Sequence, residues 1–493
     1  MKKHSTLLRI MAALVCALML TCALPMSVLA DEAPTELVIG FFSLNGIPKD
    51  LQMVMDAVNE ILIQEINVKI TPIIANFGNY HEQLNLMLSG NEQIDTFMCW
   101  GTYWLNYYNK GQIIELDDLL AQYGQGIVDV IGQEWLDAGR INGQQYGLTT
   151  NRDLALTRGL VFVKDVCDKY GIDPAQVKTL DDVAAVYQTL KEKEPDMIPL
   201  ASSSSGAGLL DTICTFDPLG DTLGVLTNYG EKLEVVNYFD TQEYEDYCRY
   251  FHEWYLKGYI TEDVLTSTDD SNAMMRNGRA FSNTSNLKPG FDIKQSATVG
   301  REVVGVPMVE PFTSSSVVQT CQWYIAANCE HPDKAMQFLN LMYTDKRITN
   351  LLAWGIEGVH YVVTEDGHIT YPEGVNSDNI GYALNLGWMF GNQFQTYVWE
   401  GDPIDLYQQL SDFNNSAKKS AAFGFTWDPA PVKTEIAALN NILNEYRVGL
   451  EWGVLDPDTA LPEFRAKLKA AGIDKVVEEK QRQLDAWALT VNK

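Results

Sequence analysis

The side chains in this chain best suited to chemistry are aromatics and amides in short clusters. Trp100, Tyr103 and Trp104 follow directly on the apolar run Ile94 to Cys99. A second cluster, Trp388, Phe390, Asn392 and Gln393, lies in the segment GWMFGNQF. A sugar ring has apolar C–H faces and a polar rim, so a site for it wants flat aromatic surfaces beside amide and carboxylate partners. Trp100 stands where a strand ends beside Gly101, the place at which a parallel sheet presents ligands. Polar loop residues complete the local candidates. Asn45 follows the first strand and Asn79 and Tyr80 precede the second helix, where backbone N–H groups are free. Ser204 and Ser205 follow an Ile-Pro-Leu-Ala strand.

Catalytic patterns are absent. The chain has no GxSxG elbow, no P-loop and no dinucleotide fingerprint. Its 65 acidic residues supply many candidate carboxylate pairs, and only their separation in space would tell a glycosidase from a binder. None of the six histidines has a second ligand at zinc spacing, and there is no EF-hand loop. The expectation is a binding protein without metal or cofactor. A secreted carbohydrate-active enzyme is the first alternative.

The elements that must hold these residues alternate quickly. Leu37 to Phe42 has strand length. Leu51, Val54, Met55, Val58, Ile61 and Leu62 recur at helical spacing, with Pro48 at the helix start. Val68 to Ile74 is a second strand, Glu82 to Leu88 a helix stopped by Gly90, and Ile94 to Cys99 a third strand. This order predicts an α/β fold built on a parallel sheet. Asn142-Gly143 marks a tight turn, and Gly159 to Val163 a strand leaving it. Gly171 ends one helix and Thr179 opens the next. Near the C-terminus Val432, Ile436, Leu439, Leu443 and Tyr446 form one apolar stripe, Pro462 starts a further helix and Gly472 ends it.

The N-terminus reads as an export signal. Lys2, Lys3 and Arg9 precede the apolar run Ile10 to Leu20, Pro25 breaks it, and Val28 and Ala30 fit a cleavage site after Ala30. Lipidation at Cys22 is the second reading, but Thr21 and Met19 stand where a small residue and Leu are wanted. Removing the leader leaves about 460 residues, enough for a two-lobed unit, and takes the net charge from −29 to −32. Such a surface repels nucleic acid and anionic lipid, leaving a neutral or cationic ligand. Six cysteines remain at irregular spacing. Cys99 and Cys167 sit in apolar patterns that predict buried thiols.

Several segments, in order, resemble one family. GQIIELDDLL (111–120), NGQQYGL (142–148) and VFVKD (161–165) with YGID (170–173) come first. NGRAF (277–281), HPDKAMQFL (331–339) and WGIEGVHY (354–361) follow. Together they are similar to the family 1 extracellular solute-binding proteins of ABC importers. The end of the chain, from Ala422-Phe423-Gly424-Phe425 through Ala471-Gly472-Ile473-Asp474 to Trp487, resembles the uncharacterised helical C-terminal region of a subgroup of Gram-positive lipoprotein-type receptors. The poor lipobox departs from that subgroup.

The resemblance implies a two-lobed, type II periplasmic-binding-protein-like fold with a ligand cleft between the lobes and C-terminal helices appended. It places the leader at 1–30, lobe one at 31–155 and 300–362, and lobe two at 156–299 and 363–493. It adds Asn151 and Arg152, where such receptors cross between lobes, and Asn283, in a strand lining their cleft. Glu357 and His360 look like an acid–base pair but fall on a structural corner of the subgroup. The implied role is hinge closure on a small solute, most simply a sugar or oligosaccharide, delivered by a monomer to ABC permease subunits. A ligand-sensing surface receptor and a peptide or polyamine binder are the remaining alternatives.

Overall fold

The computed structural model describes residues 33–202 and 208–491. The leader with Cys22, and Ser204 and Ser205, lie outside the described residues. In chain order the elements that frame the site are β1 (Thr35–Ser43), α1 (Leu51–Ile66), β2 (Val68–Asn76), α2 (Phe77–Gly90), β3 (Thr96–Trp100), α3 (Trp104–Asn109) and β4 (Leu148–Thr149). Then follow β5 (Thr157–Val163), α4 (Leu180–Lys193), β6 (Ile198–Leu200), β7 (Ala280–Leu287) and β8 (Val303–Pro307). The chain returns through α5 (Ser315–Gln319), β9 (Cys321–Ile325) and α6 (Pro332–Thr344), and ends in α7 (Leu406–Ser416), α8 (Lys433–Glu451), α9 (Pro457–Ala470) and α10 (Ile473–Thr490).

Two main sheets result, ordered β2-β1-β3-β9-β4 and β8-β5-β7-β6. In the first, β1 runs parallel to β2 and β3, as the strand–helix alternation predicts, while β9 enters antiparallel to β3. α1 buries Val54, Met55, Val58 and Leu62 on one face and stops at Asn67, whose left-handed backbone sends its N–H back to Ile63. Asn59 pins the helix to β2 by bonding both the N–H and the C=O of Ile70, at 2.7 and 3.0 Å. In the second sheet, a capping box between Thr179 and Asp182 starts α4.

Each sheet has its own apolar core. One runs from Leu37 to Leu154 and resumes from Val318 to Phe390. The other spans Leu160 to Val306 and includes Leu439, Phe464 and Leu484 of the C-terminal helices.

These cores correct two expected boundaries. Val303–Pro307 belongs to the second lobe, because it pairs antiparallel with β5, Val303 against Val163. The stretch beginning at 363 does not go wholly to the second lobe: Tyr382, Leu384, Leu386, Met389 and Phe390 pack in the first core. Apolar contact with Phe41 and Trp323, not chain order, decides where this stretch sits. Pro462 also lies inside α9, which starts at Pro457 behind the Asp456 cap.

Three segments cross between the lobes and are tied together. Leu156 and Phe312 exchange backbone hydrogen bonds at 2.9 and 3.0 Å. Phe312–Thr313 pairs parallel with Lys418–Lys419, and Thr313 donates its hydroxyl to the Leu154 carbonyl at 2.6 Å. The six cysteines of the described chain are all free, five of them buried. Among the described residues no helix is long and apolar enough to cross a membrane.

Candidate functional site

Where the lobes face each other, three cavities lie side by side. The first, about 400 Å3, is lined by Trp100 and Arg152 and, from the second lobe, by Asn286 and Lys288. Ser316 also borders the middle cavity, about 250 Å3, which runs between Thr102 and Trp104 on one side and Asp217 and Asp221 on the other. Leu105, Phe425 and Thr426 lead on to a third, about 820 Å3. Volumes of a few hundred Å3 are those of ligand pockets.

Trp100 owes its place to β3, whose last residue it is. Its indole meets Trp388 edge-on, with centroids 5.1 Å apart, and is flanked by Phe42 and Phe77 at 6.4 and 6.3 Å. This aromatic nest fixes the ring while leaving it partly exposed at the first cavity. Around it, Arg152 donates to the carbonyls of Asp153 and Val317 at 2.6 and 3.2 Å. Lys288 reaches from the second lobe to Asp153 at 2.7 Å. Burial raises the Asp153 pKa, but Lys288 and Arg152 outweigh it and hold the carboxyl below its ordinary value. Two buried donors, Trp104 Nε1 and Arg152 Nε, have no partner among the described residues.

The middle cavity has a charged brace behind it. Lys480 of α10 is fully buried, donates to Asp221 at 2.7 Å and to the Gly224 carbonyl at 2.9 Å, and lies 5.1 Å from the centre of the Trp427 ring. Asp221 in turn accepts the Trp427 indole N–H at 2.9 Å. Burial holds the Lys480 pKa below its usual value against the pull of Asp221.

The candidates read from sequence divide. Trp100 and Arg152 line the first cavity and Trp104 the middle one, with Trp388 directly behind Trp100. Tyr80 is corrected to a core residue: it is buried, and its hydroxyl donates to the Met98 carbonyl at 2.8 Å. Asn283 is corrected too, since its amide is buried and donates to Ser271 and Asn272 at 3.0 and 3.2 Å; Asn286, three residues on, lines the cavity. Asn151 and Asn392 bond each other at 2.9 Å and join two chain segments. Tyr103 is exposed and stacks on His81 at 4.0 Å. Asn45 and Asn79 are exposed and line none of the three cavities. His360 is a buried corner post, accepting the Ile356 N–H at 2.9 Å and facing Asp50 at 3.3 Å.

Phe77, Asp221, Trp427 and Asn286 went unseen in the sequence. Only Phe77 had a local signal, as an aromatic at a helix start. Among the described residues no group of side chains could hold a metal ion.

Two sheet-based lobes, three tied crossings and an aromatic cleft between them define a type II periplasmic-binding-protein-like receptor. The profile of the family described as bacterial extracellular solute-binding protein matches residues 52–347, and the chain belongs to that family. A domain of unknown function, DUF3502, matches residues 421–489. A carbohydrate ABC transporter substrate-binding protein of Streptococcus pneumoniae is 24% identical over 465 residues, covering 93% of this chain and 92% of its own. The crystal structure of the N-glycan transport solute binding protein NgtS, also from Streptococcus pneumoniae, aligns with a TM-score of 0.81 at 23% identity, covering 92% of this chain and 98% of that one. NgtS in complex with Man1GlcNAc and with Man5GlcNAc aligns at 0.70 and 0.68, again at 23% identity, with 92% of this chain and 99% of each of those chains covered.

Proposed function

We propose that this protein captures a neutral oligosaccharide in the cleft and hands it to an ABC importer, without turning it over. The observation that carries this reading is Trp100. Its ring is presented at the carboxyl end of a sheet strand, held by Trp388 and Phe42, and faces Asn286 and Lys288 of the other lobe. A ligand stacked on Trp100 and bonded to the far lobe stabilises the closed arrangement over the open one, so binding shifts that population. The mature chain acts outside the membrane as a monomer, since one receptor must offer both lobes to one pair of permease subunits.

The test is calorimetric titration of the purified chain with Man1GlcNAc, Man5GlcNAc, and malto- and xylo-oligosaccharides of two and six units, followed by chromatography of the recovered sugar. Micromolar or tighter binding with the sugar recovered intact supports the proposal. Cleaved sugar makes the protein an enzyme. No binding of any saccharide, with binding of spermidine or a peptide mixture titrated in parallel, keeps a receptor but discards the saccharide.

A further inference from the structure

The largest of the three cavities is walled on one side by the C-terminal region. Trp487 and Gln483 of α10, with the loop Phe423 to Thr426, face Tyr108 and Asn109 of α3 and the Asn142-Gly143 turn. We infer that this C-terminal wall is a distal sugar subsite that binds the far end of an oligosaccharide whose near end lies on Trp100. The inference rests on the saccharide reading and assigns a role to a region that has none.

Four observations carry it. The cavity holds about 820 Å3, twice the volume beside Trp100, and is joined to it through shared lining residues. That is room for several rings, and the middle cavity, which shares Ser316 with one neighbour and Leu105, Phe425 and Thr426 with the other, lies between Trp100 and Trp487.

The wall also has the right chemistry. Trp487 is half-buried and meets Phe425 at 5.8 Å and 65°, so its indole is held in place while part of it stays open. Gly424 lies against it: a Cβ there would come within 3.5 Å of the Trp487 ring. Across the cavity Tyr108 receives an N–H from Asn142 at 3.2 Å, and the Asn109 amide is exposed beside it. Aromatic faces opposite amides are what C–H faces and hydroxyls require.

Most of the charges around this cavity are spent on ion pairs. Arg140 is paired with Asp137 at 2.9 Å and with Asp117 at 3.0 Å, and Arg482 with Glu479 at 2.6 Å. Gln483 is engaged with the Asp428 backbone at both ends of its amide. The one lining charge without a cationic partner among the described residues is the Asp428 carboxylate, which accepts the Ala430 N–H at 3.0 Å; a lone negative charge points to neutral sugar units over uronic acids or sulfated sugars.

Finally, α10 is not loosely appended. Lys480, on the same helix, is anchored through Asp221 to the edge of the middle cavity. The helix that carries Trp487 is therefore set in register with the second lobe.

The experiment compares Trp487→Ala, the double variant Asn109→Ala/Asn142→Gly, and Trp100→Ala. Each is titrated with the short and the long member of the glycan series bound by the unmodified protein, Man1GlcNAc and Man5GlcNAc being the first pair. The asparagines are exposed, and glycine accepts the left-handed backbone of Asn142 at φ 51°, so their variant keeps the fold even if Trp487→Ala loosens α10; melting curves check both. The expected result is roughly tenfold weaker binding of the long glycan by both distal variants, with the short glycan within about twofold of the unmodified protein. Trp100→Ala weakens both. Distal variants that leave the long glycan unchanged, or weaken long and short equally, overturn the distal subsite while the Trp100 result keeps the saccharide reading. Failure of the unmodified protein to bind any saccharide overturns the reading beneath it.

Discussion

Asn414 reaches 260 residues back along the chain to accept the Leu154 backbone N–H on its side-chain oxygen at 2.8 Å. The same oxygen receives the Ala155 N–H at 3.2 Å, and the amide nitrogen donates to the Arg152 carbonyl at 2.7 Å. One buried amide thus satisfies three backbone groups of the first crossing from a helix of the third. Asn414→Ala strands those groups, at roughly 1–3 kcal/mol for each that stays dry. The expected loss is about 3 kcal/mol, read as a lower urea midpoint with an unchanged slope.

Trp100 is partly exposed at the first cavity, so under the proposed function its loss should separate binding from stability. Trp100→Ala is expected to cost about 2 kcal/mol of binding, roughly 30-fold in Kd, as for a buried aromatic anchor. Trp100→Phe, which keeps a smaller ring on the same nest, should recover part of it. Isothermal titration with the glycan bound by the unmodified protein decides the order.

The Lys480–Asp221 pair predicts an asymmetry between its two halves. Asp221→Ala leaves a fully buried ammonium with only carbonyl partners and is expected to cost about 3–5 kcal/mol. Lys480→Met removes the buried charge, keeps the packing on Trp427, and leaves behind a carboxylate that is partly exposed. Its cost should be clearly smaller, and thermal melts of both variants will show whether the order holds.

His81 gives a pH signature. Burial lowers its pKa from 6.5 to about 4, against a raising contact with the Trp100 backbone. Tyr103 stacks on the ring, and Tyr80 and Tyr107 close the other sides. The folded state therefore keeps the ring neutral where the unfolded chain already takes up a proton. The stability this group contributes is full above about pH 6.5 and is lost as pH falls from there to about 4. Calorimetric melting of the unmodified protein and of His81→Gln should show a flatter pH profile for the variant across that window.

The frame of the fold was legible because its signals are local. The alternation from Leu37 to Cys99, the Asn142-Gly143 turn, the Thr179 cap and the stripe from Val432 to Tyr446 each depend on residues within a few turns of one another. The lining of the cavities was legible only where a local rule reached it: Trp100 at a strand end, and Arg152 at a crossing expected from the family resemblance. Loop polars such as Asn45 and Asn79 followed a sound rule about free N–H groups, yet the residue that α2 brings to Trp100 is Phe77, through its contact with Phe42. Trp427, Asp221 and Lys480 lie 206 to 259 positions apart in their pairings, and nothing local in the sequence joins them. Tyr80 and Asn283 have residue types that serve binding and packing equally well, and burial alone separates the two.

The place of β9 in the first sheet sets the order in which this chain can mature. It lies between β3 and β4, yet Tyr324 is synthesised 228 residues after its partner Thr96. Until residue 325 has emerged, β3 and β4 have no strand between them and the first lobe has an open seam. The second sheet, whose strands all fall between 157 and 307, has every member before that seam can close. The first sheet is therefore completed by a late, long-range pairing of the kind that slows folding, and it stays unfinished until about two-thirds of the chain is available.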